Sequence, residues 1–111
     1  MKLSFGDVLL ARFPFTDLSS AKRRPVLLIS ADGDGDDVIV CAITSRPHAD
    51  RFDIAVAPTD ENGLKLPSRV QFDKIATLER TVIAGRLGRL SPVFPSRDAG
   101  LFRSVFGFAT G

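Results

Sequence analysis

Lys22-Arg23-Arg24-Pro25-Val26-Leu27-Leu28-Ile29-Ser30 is the stretch on which the fold turns. Three cations lead into a proline, and the proline leads into four aliphatic residues. The aliphatic run is short, β-branched at Val26 and Ile29, and bounded by Pro25 and Ser30, which predicts a strand buried on both faces. Pro25 has no N–H to give to a ladder, so it suits the first position of that strand. It also steers Arg24 away from helical backbone and toward an extended one. A cationic loop is thereby tied at its charged end to a rigid strand, with Arg24 nearest the anchor.

The residues on either side read as further strands. Gly6-Asp7 is an opening turn, Val8 to Phe13 a first strand, and Pro14 its end. A polar loop from Phe15 to Arg23 then leads to the second strand, Val26 to Ile29. Asp32 to Asp37 alternates aspartate and glycine, the chemistry of a hairpin turn. Val38 to Ile43 is a third strand and Phe52 to Val56 a fourth. The connection from Pro58 to Pro67 is rich in turn residues, with a helical turn over Thr59 to Gly63 that Gly63 ends. Ser68 to Asp73 alternates cleanly and continues, after a bend, through Ile75 to Leu78. Thr81 to Leu90 is a further strand or pair of strands, whose two glycines mark a bulge or a close backbone approach. Beyond it Ser96 is a candidate N-cap and Asp98 suits a helix N-terminus. Leu101, Val105 and Phe108 recur at helical spacing, flanked by Phe102 and Phe106. The fold class is mainly β (α+β): a strongly bent, mostly antiparallel sheet crossed by a C-terminal helix whose phenylalanines serve a core or a subunit contact.

With 111 residues, 44% of them hydrophobic, the chain has room for one core, and a single domain over 1–111 is expected. No signal-peptide pattern opens it, and no apolar run approaches the ~20 residues needed to span a bilayer. Cys41 is the one cysteine, so no internal disulfide forms, and its apolar setting predicts a buried, inert thiol in a reducing cytoplasm. Net charge is only +2, but four carboxylates crowd residues 32–37 while residues 65–111 hold eight Lys/Arg against three Asp/Glu. Broad basic faces with one acidic tip are compatible with a polyanionic ligand, and equally with ordinary solvated charge.

The motifs of metal and nucleotide enzymes are missing. One histidine and one cysteine do not make the common zinc sites, and no HExxH, paired CxxC, GxGxxG or P-loop is present. No metal and no cofactor is expected. A Ser–His–Asp triad around His48 has nothing in the sequence to fix its geometry.

What remains is guanidiniums and hydroxyls at strand ends. If the second and third strands pair antiparallel through the Asp/Gly hairpin, Arg24 and Thr44 come to the same edge of the sheet, within side-chain reach. Arginine suits bidentate phosphate binding, and a threonine hydroxyl both donates and accepts a hydrogen bond. Together they suit a phosphodiester and the charge that grows on its oxygens during cleavage. The same two residues also read as a solvated loop cation and a strand cap, and the spacing alone leaves both readings standing.

Gly6-Asp7-Val8, then Arg24-Pro25-Val26-Leu27 after a polar loop, then Ala42-Ile43-Thr44-Ser45 at a strand end, resemble the PemK/MazF-like toxin family. Ser68-Arg69-Val70-Gln71-Phe72-Asp73 with Ile75 to Leu78 is similar to the family's later strand block, and Gly85 to Leu90 and the C-terminal helix follow in the same order. The resemblance covers essentially the whole chain. It implies a small SH3-like barrel, a homodimer, and the toxin of a type II toxin–antitoxin pair. It further implies a sequence-specific, metal-independent endoribonuclease acting on single-stranded mRNA, in which the RNA 2′-hydroxyl attacks the neighbouring phosphate. By the same resemblance, the catalytic arginine falls on Arg24, the catalytic threonine on Thr44, and the aspartate of an Arg-x-Asp element on Asp73. Lys22, Arg23, Ser45, Arg46 and Gln71 would line the RNA path.

Two departures bear on the acid–base chemistry. Ser19 to Arg23 lacks the glutamate that some members carry, and Gln71 stands where the PemK branch has arginine. Asp73 as a base, and His48 with its ordinary pKa near ~6.5 four residues past Thr44, are the candidates for proton transfer. The implied partner is an antitoxin with an acidic, largely disordered C-terminal segment, which suits the basic loop. Two other functions fit the same fold: a non-catalytic toxin that inhibits a protein such as DNA gyrase, and a degenerate member that binds RNA or antitoxin without cutting.

Overall fold

Val26, Leu27 and Leu28 are fully buried, and they face opposite ways. Val26 and Leu28 pack with Leu9, Ala11, Val38, Val40, Ala42 and Leu78. Leu27 packs instead with Val8, Cys41, Ile43, Val70 and Phe72. A strand with a core on each side must lie inside its sheet, as the unbroken aliphatic run predicts. The structure, a computed structural model, describes residues 2–12, 22–31, 34–47, 49–91 and 99–107. Its strands are β1 (Asp7–Ala11), β2 (Arg24–Leu28), β3 (Asp37–Thr44), β4 (Asp53–Val56), β5 (Ser68–Glu79) and β6 (Ile83–Arg89). They form one antiparallel sheet in the order β4-β5-β3-β2-β1-β6.

The second core is covered by α1 (Ala99–Ser104), through Leu101, Phe102 and, just beyond it, Val105. Phe102 meets Phe72 edge-on at 5.5 Å and Phe106 edge-on at 5.4 Å, an arrangement aromatic rings favour. The expected helix cap at Ser96, Asp98 and the last helical position, Phe108, lie outside the described residues.

Several boundaries differ from the sequence reading, each for a local reason. β1 ends at Ala11, before Arg12, and Phe13 lies outside the described residues. β2 starts earlier than its aliphatic run, because Arg24 and Pro25 already pair with Ala11 and Leu10. The run from Thr81 opens with a 3₁₀ turn (Arg80–Val82), and only β6 is strand. β6 holds two residues more than β1 can pair, Ala84 and Leu87, so it bulges twice.

The expected close approach is real at Gly88 and absent at Gly85. A Cβ on Gly88 would stand 2.2 Å from the Glu61 carbonyl oxygen, whereas one on Gly85 would meet nothing within 4 Å. Gly63 closes the Thr59–Gly63 turn by donating its N–H to the Thr59 carbonyl at 3.0 Å, and its φ of +70° is the left-handed conformation that ends such turns. The buried Asn62 side chain accepts from the N–H groups of Thr59 and Leu64 and donates to the Ala57 carbonyl, which fixes the turn from within. The Arg89 N–H then donates to the Glu61 carbonyl at 2.8 Å. Thus the β4–β5 connection reaches β6, at the far end of the strand order, and curls the sheet toward a barrel.

The bend expected within β5 is a jump in register. Cys41 pairs with Ile75, but Ala42 pairs with Gln71, so Phe72, Asp73 and Lys74 have no partners on β3. Phe72 turns into the core and donates its N–H to the Phe52 carbonyl at 3.2 Å, while Asp73 is left exposed.

Candidate functional site

β2 and β3 pair Val26 with Ala42 and Leu27 with Cys41. Continued by two residues, that register sets Arg24 opposite Thr44. Both line one cavity of about 360 Å³, together with Ser45. Arg24 arrives there because Pro25 keeps the backbone extended and β1 holds it on its other side through Ala11. Its side chain is half-buried, and its Nε is buried with no hydrogen-bond partner among the described residues. Such an orphaned donor is costly unless something comes to accept from it. The Thr44 Oγ1 accepts the Arg46 N–H at 3.2 Å, which orients the hydroxyl and leaves its proton to donate elsewhere.

The rest of the cavity is apolar apart from Lys65 and Ser68, with Leu64, Leu66 and the bulged Leu87 among its walls. A second groove adjoins it, sharing Ser45, Leu66 and Ser68 and carrying Arg46 and Arg69. The two linings contain four Arg/Lys side chains (Arg24, Lys65, Arg46 and Arg69) and no carboxylate. Low-dielectric walls around charge of one sign concentrate the field, so this is an anion-attracting surface.

The remaining residues singled out by sequence are dispersed. Lys22 and Arg23 are exposed on the approach to β2. Gln71 is half-buried in β5, paired with Ala42 on one side and Asp53 on the other. Asp73 lies on the β5 bend and lines neither cavity. Its charge is felt instead by Cys41, whose thiol is pushed up to about 12, mainly by burial and further by the Asp73 carboxylate. Cys41 is a free, buried thiol and stays protonated and unreactive at neutral pH. His48 lies outside the described residues. Among the described residues no three His, Cys, Asp or Glu side chains gather closely enough to hold a metal ion.

An arginine and a threonine brought together by one hairpin, in a cation-lined cavity on a curled six-stranded sheet, can be compared with known families. The PemK-like, MazF-like toxins of type II toxin–antitoxin systems match residues 4–94. The chain belongs to this family. It is 33% identical over 75 residues to a probable endoribonuclease MazF from Mycolicibacterium smegmatis, a match covering 65% of this chain and 69% of the relative. Its fold is that of an endoribonuclease solved in complex with its cognate antitoxin from a mycobacterial species, at TM-score 0.67 and 20% identity, over 98% of this chain and 95% of the other. A MazE–MazF structure from Deinococcus radiodurans superposes at TM-score 0.68 with 19% identity, over 100% and 97% of the two chains.

Within this MazF-like chain, sequence reading passed over two groups that build the site's surroundings. Lys65 stands in the cavity with Arg24, carried there by the β4–β5 connection that Gly63 folds onto β6. Two aspartates are buried beside guanidiniums. Asp7 accepts the Ser4 N–H at 2.8 Å and lies 3.6 Å from Arg86, while Asp53 accepts the Asp50 N–H at 3.1 Å and lies 3.5 Å from Arg69. Each aspartate starts a strand and closes a three-residue loop on itself, a pattern that Asp-first strands announce only weakly.

Proposed function

We propose that this MazF-like toxin is a metal-independent endoribonuclease that cuts single-stranded mRNA at the cavity holding Arg24 and Thr44. The observation that carries the reading is the unpartnered Arg24 Nε in that cavity, beside a hydroxyl with a free proton. In the proposed reaction Arg24 grips the non-bridging oxygens of the scissile phosphate, and Thr44 donates to the same group. The 2′-oxygen of the RNA attacks the adjacent phosphorus, the P–O5′ bond breaks, and a cyclic phosphate and a 5′-hydroxyl result. Two protons move: one leaves the 2′-hydroxyl and one arrives on the 5′-oxygen. Asp73 lies off the cavity and does not touch the phosphate in this scheme, and His48 is the titratable group offered for proton transfer. Arg24 stabilises the charge that grows on the non-bridging oxygens as the pentacoordinate state forms.

Lys22, Arg23, Ser45 and Arg46 carry the strand on either side, with Gln71 at the outer margin. A homodimer in the cytoplasm and an antitoxin whose acidic segment seats on the cationic cavity complete the reading. The similar mycobacterial endoribonuclease, solved in complex with its cognate antitoxin, and the similar MazE–MazF structure from Deinococcus radiodurans support the antitoxin. So do Leu66 and Leu87, exposed apolar side chains at the cavity that suit a peptide of mixed acidic and apolar character.

The test is cleavage of a long single-stranded RNA by the purified chain in EDTA. Cleavage is expected to leave cyclic-phosphate ends and to fall by roughly 10²–10³ in Arg24→Ala. Undiminished cleavage by Arg24→Ala would overturn the assignment. Intact RNA together with trapped DNA–gyrase complexes would instead mark a protein-inhibiting toxin.

A further inference from the structure

Lys65 lines the Arg24 cavity on a backbone that is pinned on both sides of it. Before it, the Gly63 N–H donates to the Thr59 carbonyl at 3.0 Å and the Leu64 N–H to Asn62 Oδ1 at 3.0 Å. The Leu64 side chain is buried in the second core. After it, the Leu66 carbonyl accepts the Ser68 hydroxyl at 2.8 Å. The same connection is tied to β6, where the Arg89 N–H donates to the Glu61 carbonyl at 2.8 Å. A long cationic side chain is thereby rooted at one fixed point of the cavity wall. It is exposed, and among the described residues no carboxylate pairs with it. Arg24 and Thr44 reach the cavity from β2 and β3, so Lys65 enters from a third part of the chain.

We infer that Lys65 is the general acid of the cleavage, giving a proton from Nζ to the 5′-oxygen as the P–O5′ bond breaks. This assignment rests on the RNA-cleaving reading of the cavity and names the source of the second proton in that reaction. As the 2′-oxygen bonds to phosphorus, its own proton goes to His48 or to a solvent hydroxide. Neutral Lys65 then regains a proton from water. The cavity's chemistry favours lysine for this step. Among the described residues lining it, Arg24 and Lys65 are the ionisable side chains, with no carboxylate and no histidine. Arg24 is taken up by the non-bridging oxygens, and a guanidinium yields a proton less readily than an ammonium by roughly two units or more. The hydroxyls of Thr44, Ser45 and Ser68 donate hydrogen bonds without releasing their protons at neutral pH. A departing alkoxide is far more basic than an amine, so the transfer from lysine runs downhill. Apolar walls at Leu64, Leu66 and Leu87 limit the water that would otherwise protonate the leaving oxygen.

The experiment uses the full chain. The cut site is first mapped in a long single-stranded RNA, and a short RNA of that sequence is made with either oxygen or sulfur at the 5′ position of the scissile link. A thiolate leaves without taking a proton, so the sulfur substrate needs no general acid. In single-turnover cleavage Lys65→Ala is expected to lose roughly 10²-fold on the oxygen substrate and nothing on the sulfur one. Arg24→Ala, whose work on the non-bridging oxygens is common to both, should lose comparably on each. Because Lys65 is exposed, its truncation should leave the melting temperature unchanged. An equal loss on the two substrates would make Lys65 a plain cation and overturn the assignment, as would no loss on either. The cleavage reading fails differently: a wild-type chain that cuts no RNA would overturn that reading and the role of Lys65 with it, whereas a cutting wild type confines any failure to Lys65.

Discussion

Two stretches of β3 face different kinds of neighbour. At its C-terminal end Thr44 lies two residues past the last β2 pairing and shares a concave cation-lined cavity with Arg24. Near its middle Cys41 and Ala42 face the β5 bend, where three residues have no partner and Asp73 is turned out to solvent. The first region holds a buried guanidinium nitrogen that lacks a partner, and the second buries an aromatic ring packed against another. Binding sites keep unspent hydrogen-bonding capacity, and bends spend theirs on packing. On the proposed reading, phosphate chemistry belongs to Arg24 and Thr44 and structural work to the bend.

That division can be broken most forcefully at Phe72. It is fully buried and stacked edge-on against Phe102, so Phe72→Ala should lower stability by about 3–5 kcal/mol in denaturant unfolding. RNA cleavage per folded molecule, measured well below the new melting point, should be unchanged. A loss of cleavage that exceeds the loss of folded protein would make the bend part of the active machinery.

How much of this was legible in the sequence depends on the distance along the chain. Arg24 and Thr44 meet through one hairpin, and a hairpin's register follows from its two strands and its turn, so residues 22–45 could be paired on paper. The double burial of β2 was readable for the same reason, since an aliphatic run with no polar alternation has no solvent face. The fate of Asp73 was not. Its place depends on a three-residue slip between β3 and a strand some thirty residues later, and a continuous alternating pattern gives no sign of it. Lys65 was hidden likewise, because its position is set by Gly63 and Gly88 letting two backbones touch. The buried Asp53–Arg69 pair was hidden too, since only the pairing of β4 with β5 brings the two residues together.

A smaller effect sharpens the comparison from the core side. The Cys41 thiol titrates at about 12 in the folded chain against 9.0 for a free thiol. A raised thiol pKa means that the unfolded chain loses its proton first, so this contribution to stability is whole below pH 9 and declines from there toward pH 12. By pH 10 the loss is roughly 1 kcal/mol. Cys41→Ala should flatten the fall in stability between pH 9 and pH 11 relative to wild type, in urea titrations at each pH. Asp73→Asn should flatten it only slightly, because burial dominates and the carboxylate adds to it.

The central claim is that Arg24 and Thr44 act on one phosphate while Asp73 does not, and a pair of double-mutant cycles tests it most directly. Single-turnover cleavage would be measured for Arg24→Lys, which keeps the charge and loses the planar fork, for Thr44→Val, for Asp73→Asn, and for the two doubles containing Arg24→Lys. A coupling between Arg24 and Thr44 of about 1 kcal/mol or more is expected, with additivity within about 0.5 kcal/mol between Arg24 and Asp73. Additive Arg24 and Thr44 with strongly coupled Arg24 and Asp73 would contradict it, and would move the chemistry to the bend.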